Sequence, residues 1–217
     1  MNSEELKEIL HQQQLWLAYG GQLGREANFR KADLQDAFFG GADLFGVDLS
    51  EANLTGATIK WTNLQTANLQ KAILKGVNFE GVNLQKAIIR SANLKNTNFW
   101  YADLKGANFH DANLKSSSIN CAELQSADFS EANLENTNFM QAVFRQTNFH
   151  STSLRGANLQ GANFINCNLQ EANLQGANLR ETKFENSVFI NVTIDRNNIF
   201  MLPIKILKKY QDTFIVV

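Results

Sequence analysis

The chain of 217 residues has little of what punctuates or cross-links most folds, with one proline and two cysteines. Two cysteines cannot build the disulfide framework of a small secreted domain, and they fit a reducing compartment. Charge of one sign is lacking as well: Lys plus Arg is 20 against 21 for Asp plus Glu, a formal net charge of −1. That balance gives no bulk attraction to nucleic acid or to an anionic membrane, so DNA binding is not expected. No window approaches the ~18 continuous apolar residues of a membrane span. Residues 1–19 are acidic and polar, unlike a signal peptide, which makes the cytoplasm the expected location.

What the sequence does have is a beat of five. Every position ending in 4 or 9 from Phe29 to Ile194 is Leu, Phe or Ile: 34 positions, with 18 Leu, 12 Phe and 4 Ile. Two residues earlier stands a small side chain, 21 of them Ala, and 23 of the 34 residues in between are Asn or Asp. Phe38, Phe45, Phe200 and Phe214 fall outside the large position and are expected outside the core.

Neither regular element serves this period. In a strand, residues five apart face opposite sides, and on a helix five steps of ~100° miss the starting face by ~140°. The chain must therefore turn within each repeat, holding the small and large residues inward on a short extended stretch. A turn of roughly 90° per repeat closes after four, and stacked coils sit at the strand spacing of ~4.8 Å. The large positions read every twenty residues support four faces: the column from Leu34 holds Leu until Ile194, with none of the twelve Phe. Nine of the thirteen glycines stand two residues after the large side chain, at the expected corner.

Runs such as Ala52-Asn53-Leu54 and Ala157-Asn158-Leu159, repeated across residues 27–196, resemble the pentapeptide-repeat family of bacteria and especially cyanobacteria. The resemblance implies an all-β solenoid, a right-handed quadrilateral β-helix. Its length would be about eight and a half coils, roughly 41 Å at the strand spacing. The chain divides into an N-terminal helical cap (1–24), the β-helix (25–199) and a C-terminal capping or dimerisation segment (200–217).

A solenoid has an open end at each terminus that needs covering. Residues 3–18 read as an amphipathic helix with Asn2 or Ser3 as N-cap and Glu4 and Glu5 in its first turn. Leu6, Ile9, Leu10, Trp16 and Leu17 line one side, and Gly20-Gly21 end the helix. At the other end Pro203 stops the beat. The apolar tail after it fits a helix over the last coil, a strand on its edge, or a contact between two copies.

Catalytic chemistry is sparse. His110 and His150 fall in one column two coils apart, roughly 9.6 Å, with Ser130 between them. A shared metal needs each nitrogen within ~2.1 Å. Cys167 replaces Ala at an inward position, whereas Cys121 sits at a corner, so the two are not placed for a disulfide. Neither a phosphate-binding glycine loop nor a nucleophile elbow occurs, and no cofactor or metal is expected.

Function is thus expected on the outward residues. Trp61 and Tyr101 share a corner column, Trp100 adjoins Tyr101, Met140 lies two coils from Trp100, and Phe38 is on the same side. This group reads as a contact for an unidentified protein partner, in a non-enzymatic scaffold or regulator. Lys75, Lys95 and Lys115 form a second column, continued by Glu135 and Arg155. Asp111, Asp128, Glu131 and Glu171 form an acidic group that carries the alternative. Some members of the family imitate DNA and modulate type II topoisomerases. The 16 acidic and 15 basic residues between 27 and 199 count against such mimicry here.

Overall fold

The computed structural model describes residues 3–217. The N-cap expected at Asn2 lies outside the described residues, and Ser3 opens helix α1 (Ser3–Ala18). Leu6 and Gln13 are the buried residues of α1, and Ile9 and Leu10 pack on the core. The apolar side expected to run on through Trp16 and Leu17 stays half-exposed, and polar Gln13 takes the buried place. One hydrogen bond explains this. Ala27 N–H donates to Gln13 Oε1 at 2.6 Å. In later repeats the equivalent amide closes a turn onto the previous large residue, as Ala32 does onto Phe29 C=O at 3.0 Å. The first repeat has no such predecessor, so the helix supplies the acceptor.

Gly20 and Gly21 end α1 with φ of 58° and 83°, and Gly21 N–H donates to Trp16 C=O at 2.8 Å. Gly24 then brings the chain back against α1, where a Cβ would overlap the Gln12 carbonyl.

From Asn28 onward, residue i pairs in parallel with residue i+20: Asn28 with Asp48, Asn53 with Ile73, Asn173 with Thr193. Asn53 N–H donates back to Ala32 C=O at 3.0 Å, and Leu54 N–H donates forward to Ile73 C=O at 2.8 Å. Twenty residues is therefore the ladder period, as the columns predict. Most rungs are single-residue bridges, because each repeat spends two residues on its turn. Longer pairing occurs in β1 (Val143–Arg145), β2 (Asn163–Ile165) and β3 (Lys183–Glu185), which run parallel in that order.

Inside, the large residues stack coil on coil. The rings of Phe79 and Phe99, and of Phe109 and Phe129, lie parallel with centroids 4.8 Å apart, which is the rung spacing. Inward hydroxyls are satisfied within the core. Thr62, Thr137 and Thr147 donate to the carbonyls of Phe39, Leu114 and Leu124 at 2.9, 3.1 and 3.0 Å. Cys167 makes the same contact to Phe144 C=O through its thiol, at 3.5 Å.

The middle Asn and Asp act within the turns. Their Oδ1 accepts the N–H two residues on, as in Asn28 with Arg30 and Asn108 with His110, both at 3.0 Å. Asn adds a donor that reaches the neighbouring coil: Asn98 to Asn78 at 3.2 Å, and Asn178 to Asn158 at 3.1 Å.

All 33 corner residues from Lys31 to Asn191 have φ between 50° and 75°. Nine are the glycines expected there, but 24 are not glycine. An L-residue held so costs about 1–2 kcal/mol. At most corners a turn bond and a ladder bond, such as Ala32 N–H to Phe29 C=O and Lys31 N–H to Ser50 C=O, offset that cost.

The C-terminal alternatives of helix and strand are both realised. After β4 (Thr193–Ile194), α2 (Arg196–Ile199) and α3 (Ile204–Tyr210) cross the open end, and β5 (Ile215–Val216) pairs in parallel with β4. Leu202, Ile206 and Tyr210 are buried, and the Tyr210 and Phe214 rings lie 6.3 and 6.2 Å from Phe189. Phe214, expected outside the core, thus packs on its last layer. The described helices include none long and apolar enough to cross a membrane.

Candidate protein-contact face

One strip of the rod consists of the repeats centred on Thr58, Asn78, Asn98, Ser118 and Asn138. The corner entering it carries Lys75, Lys95 and Lys115, and the corner leaving it carries the aromatic group. The 95–101 segment shows the order: Lys95, then Thr97-Asn98-Phe99 with Thr97 and Phe99 buried, then Trp100-Tyr101 outside. The structure brings Trp61, Trp100, Tyr101 and Met140 to this one edge, at 62, 46, 61 and 40 % exposure.

Each aromatic is held. Trp61 (φ 58°) lays its indole over Gly81 of the next coil, so closely that a Cβ on Gly81 would overlap the ring. Trp100 folds back over the strip, its Nε1–H donating to Ser118 Oγ at 2.9 Å, and meets Tyr101 edge to face at 6.5 Å. Lys60 and Glu80, between Trp61 and Trp100 on this edge, form an ion pair at 2.8 Å. Phe38, 68 % exposed, covers Gly40 near the N-terminal end. Sequence reasoning missed Gly81 and Ser118 as supports. The signal for Gly81 was its place between Trp61 and Tyr101 in the corner column.

The basic column is only partly free. Lys115 pairs with Glu135 at 2.8 Å, and this ammonium holds the Glu135 carboxyl below the usual carboxylate range. Lys75 and Lys95 have no ion pair among the described residues.

The acidic group is largely engaged in the rod's own bonds. Asp111 accepts from Ser91 Oγ at 2.9 Å. Asp128 accepts from Ser130 N–H at 3.0 Å and from Asn148 Nδ2 at 2.9 Å. Glu171 accepts from Ser151 Oγ at 2.9 Å, a bond that lowers its carboxyl pKa, whereas Glu131 adds only a corner carboxylate. His110 Nδ1 lies 3.0 Å from Ser130 Oγ, and His150 Nε2 lies 3.3 Å from Ser151 Oγ. Among the described residues, no three His, Cys, Asp or Glu are grouped to hold a metal ion.

A filled core, a parallel ladder every twenty residues and covered ends define a β-solenoid. Within that class the chain belongs to the pentapeptide-repeat family. The model described as pentapeptide repeats matches in 8 copies, over residues 25–60, 62–100, 92–130, 122–161, 147–186 and 157–194. No curated protein matches. Among solved structures, the chain is similar to HetL, a pentapeptide-repeat protein involved in heterocyst differentiation regulation in the cyanobacterium Nostoc. The identity is 30 %, over 75 % of this chain and 76 % of that one, with a TM-score of 0.42. A pentapeptide-repeat protein of the cyanobacterium Cyanothece is 29 % identical, over 51 % of this chain and 88 % of that one, with a TM-score of 0.40. QnrB1, a plasmid-mediated fluoroquinolone resistance protein, is 20 % identical over 73 % of this chain and 86 % of that one, with a TM-score of 0.37.

Proposed function

We propose that this protein is a non-enzymatic scaffold or regulator of the cytoplasm. It would be a right-handed rod of about eight and a half coils that captures a protein partner along its aromatic edge. One observation carries the reading: Trp61, Trp100, Tyr101 and Met140 stand exposed together on a rod whose other outward positions are mostly polar. Exposed aromatics rimmed by polar groups are the usual anchors of protein contacts. Their supports are built in, so little side-chain freedom is lost on binding. The DNA-mimic alternative gains nothing from the surface, where three of the four acidic candidates already accept bonds from neighbouring coils.

Changing Trp61, Trp100 and Tyr101 together to Ser is expected to leave the circular dichroism unchanged and to abolish capture of the native partner. Equal capture by the variant would overturn the assignment of this edge. The C-terminal end is part of the same proposal as a contact between two copies. β5 has one neighbour in its sheet, and Ile215, Val216 and Val217 are 51, 43 and 54 % exposed. Sedimentation of the full chain is expected to show a dimer that Ile215→Lys dissociates.

A further inference from the structure

The strip between the lysine corner and the aromatic corner is a single surface, and its dimensions favour one kind of ligand. The backbone at Trp61 and at Tyr101 occupies the same corner two coils apart, roughly 9.6 Å at the strand spacing, and the Trp61 indole leans from there over Gly81. A polyproline II helix rises about 9.3 Å per turn of three residues. A chain in that conformation, lying parallel to the rod, therefore presents equivalent side chains to Trp61 and to Tyr101 in succession. We propose that the partner is recognised through an acidic, proline-containing segment in the polyproline II conformation, lying along the strip from Trp61 to Met140. This rests on the reading of the aromatic edge as the contact face and names the ligand class for it.

Three further observations point the same way. The Trp61 indole N–H and the Tyr101 hydroxyl have no hydrogen-bond partner among the described residues. A polyproline II chain makes no internal hydrogen bonds, so its carbonyls are free to accept from them. Lys75 and Lys95 lie unpaired on successive coils of the opposite corner, where carboxylates on another ridge of the peptide would relieve their repulsion. The floor between the two corners is an uncharged row of Asn78, Asn98, Ser118 and Asn138.

Other modes fit less well. Strand addition needs an open edge, and along the strip each coil is bonded to the coils on both sides. A docked amphipathic helix needs a continuous apolar groove, whereas this floor is amide and hydroxyl.

The test is direct titration of the full-length protein with a capped peptide of four Pro-Pro-Glu units, followed by tryptophan fluorescence. Peptides of four Pro-Pro-Lys or four Gly-Gly-Glu units and a helical Ala- and Glu-rich peptide serve as comparisons. Saturable binding of the Pro-Pro-Glu peptide is expected, at least about tenfold tighter than any comparison and weakened by salt. Lys75→Glu with Lys95→Glu should lower the affinity about tenfold and reverse the preference toward Pro-Pro-Lys. Trp61→Ser with Tyr101→Ser should abolish binding while circular dichroism is unchanged.

Equal affinity for the acidic and basic peptides, or no saturable binding of Pro-Pro-Glu, would overturn the proposal. So would a helical peptide or a soluble oligosaccharide that binds at least as well. If the triple serine variant loses its native partner while the wild-type protein ignores Pro-Pro-Glu, the contact face stands and the ligand class falls.

Discussion

At the scale of single residues, the most demanding requirement falls on the corners. Thr66 is β-branched, exposed and held at φ 59°, a combination with a steric cost. Thr66→Gly is expected to raise stability by about 0.5–1 kcal/mol, since relief of the left-handed strain exceeds glycine's entropy cost. A higher urea midpoint at unchanged m would show it. Two glycines separate backbone from packing. Gly76 (φ 73°) faces open space, so Gly76→Ala should cost about 1–2 kcal/mol of backbone strain alone. Gly81→Ala must in addition lift Trp61 off its support, and the tryptophan emission of that variant alone should shift. Neither outcome was legible from glycine's composition, because 24 corners manage without it. Cys167 was read correctly as a small inward residue, and burial raises its thiol pKa. Below the ordinary thiol pKa both states keep the proton and no stability is lost. As pH rises through that value the unfolded chain ionises while the folded one does not, so stability falls up to the folded pKa. Cys167→Ala should flatten this alkaline decline in urea midpoints. A thiol reagent should titrate exposed Cys121 in the native protein and Cys167 only after unfolding.

At the scale of elements, the repeats were legible and the caps were not. The beat of five is local, and every inward position is set by its own side chain. A cap instead depends on what the adjoining coil leaves unsatisfied, and that does not show as periodicity. Gln13 illustrates it: a polar residue on an apolar side reads as a flaw until Ala27 N–H is seen to need an acceptor. Gln13→Leu is expected to cost about 1–3 kcal/mol by leaving that donor buried and unpaired. Hydrogen exchange should report it as lost protection at Ala27 and along α1, with the central coils unaffected. At the other end, residues 204–217 read equally well as helix or strand because they contain one of each, joined to the rod through residues far back in the chain. Truncating Tyr210 to Ala should remove about 2–4 kcal/mol of packing under Phe189 and loosen α3 and β5 together. The candidate face was legible as a set of columns. Its supports, Gly81 and Ser118, emerge only when side-chain directions are known.

At the scale of the whole molecule, charge counts against a duplex mimic, since 16 acidic residues are offset by 15 basic ones between residues 27 and 199. Micromolar protein is expected to leave gyrase supercoiling unchanged, with or without fluoroquinolone; inhibition or protection in that assay would revive the alternative. The ladder period has a further consequence. Core burial repeats every five residues, whereas a surface column repeats every twenty. Removing one repeat, such as residues 82–86, keeps every Leu and Phe inward but turns all that follows by roughly a quarter turn. That variant should fold and lose the alignment of Trp61 with Tyr101. Removing a full coil between them, such as 62–81, should shorten the rod by about 4.8 Å and keep Trp61 and Tyr101 in one column. The chain is in effect a vernier with two scales, a fine one that folding reads and a coarse one that sets which surface residues align. Gene lengthening in steps of one repeat can scan new combinations of surface residues without putting the interior at risk.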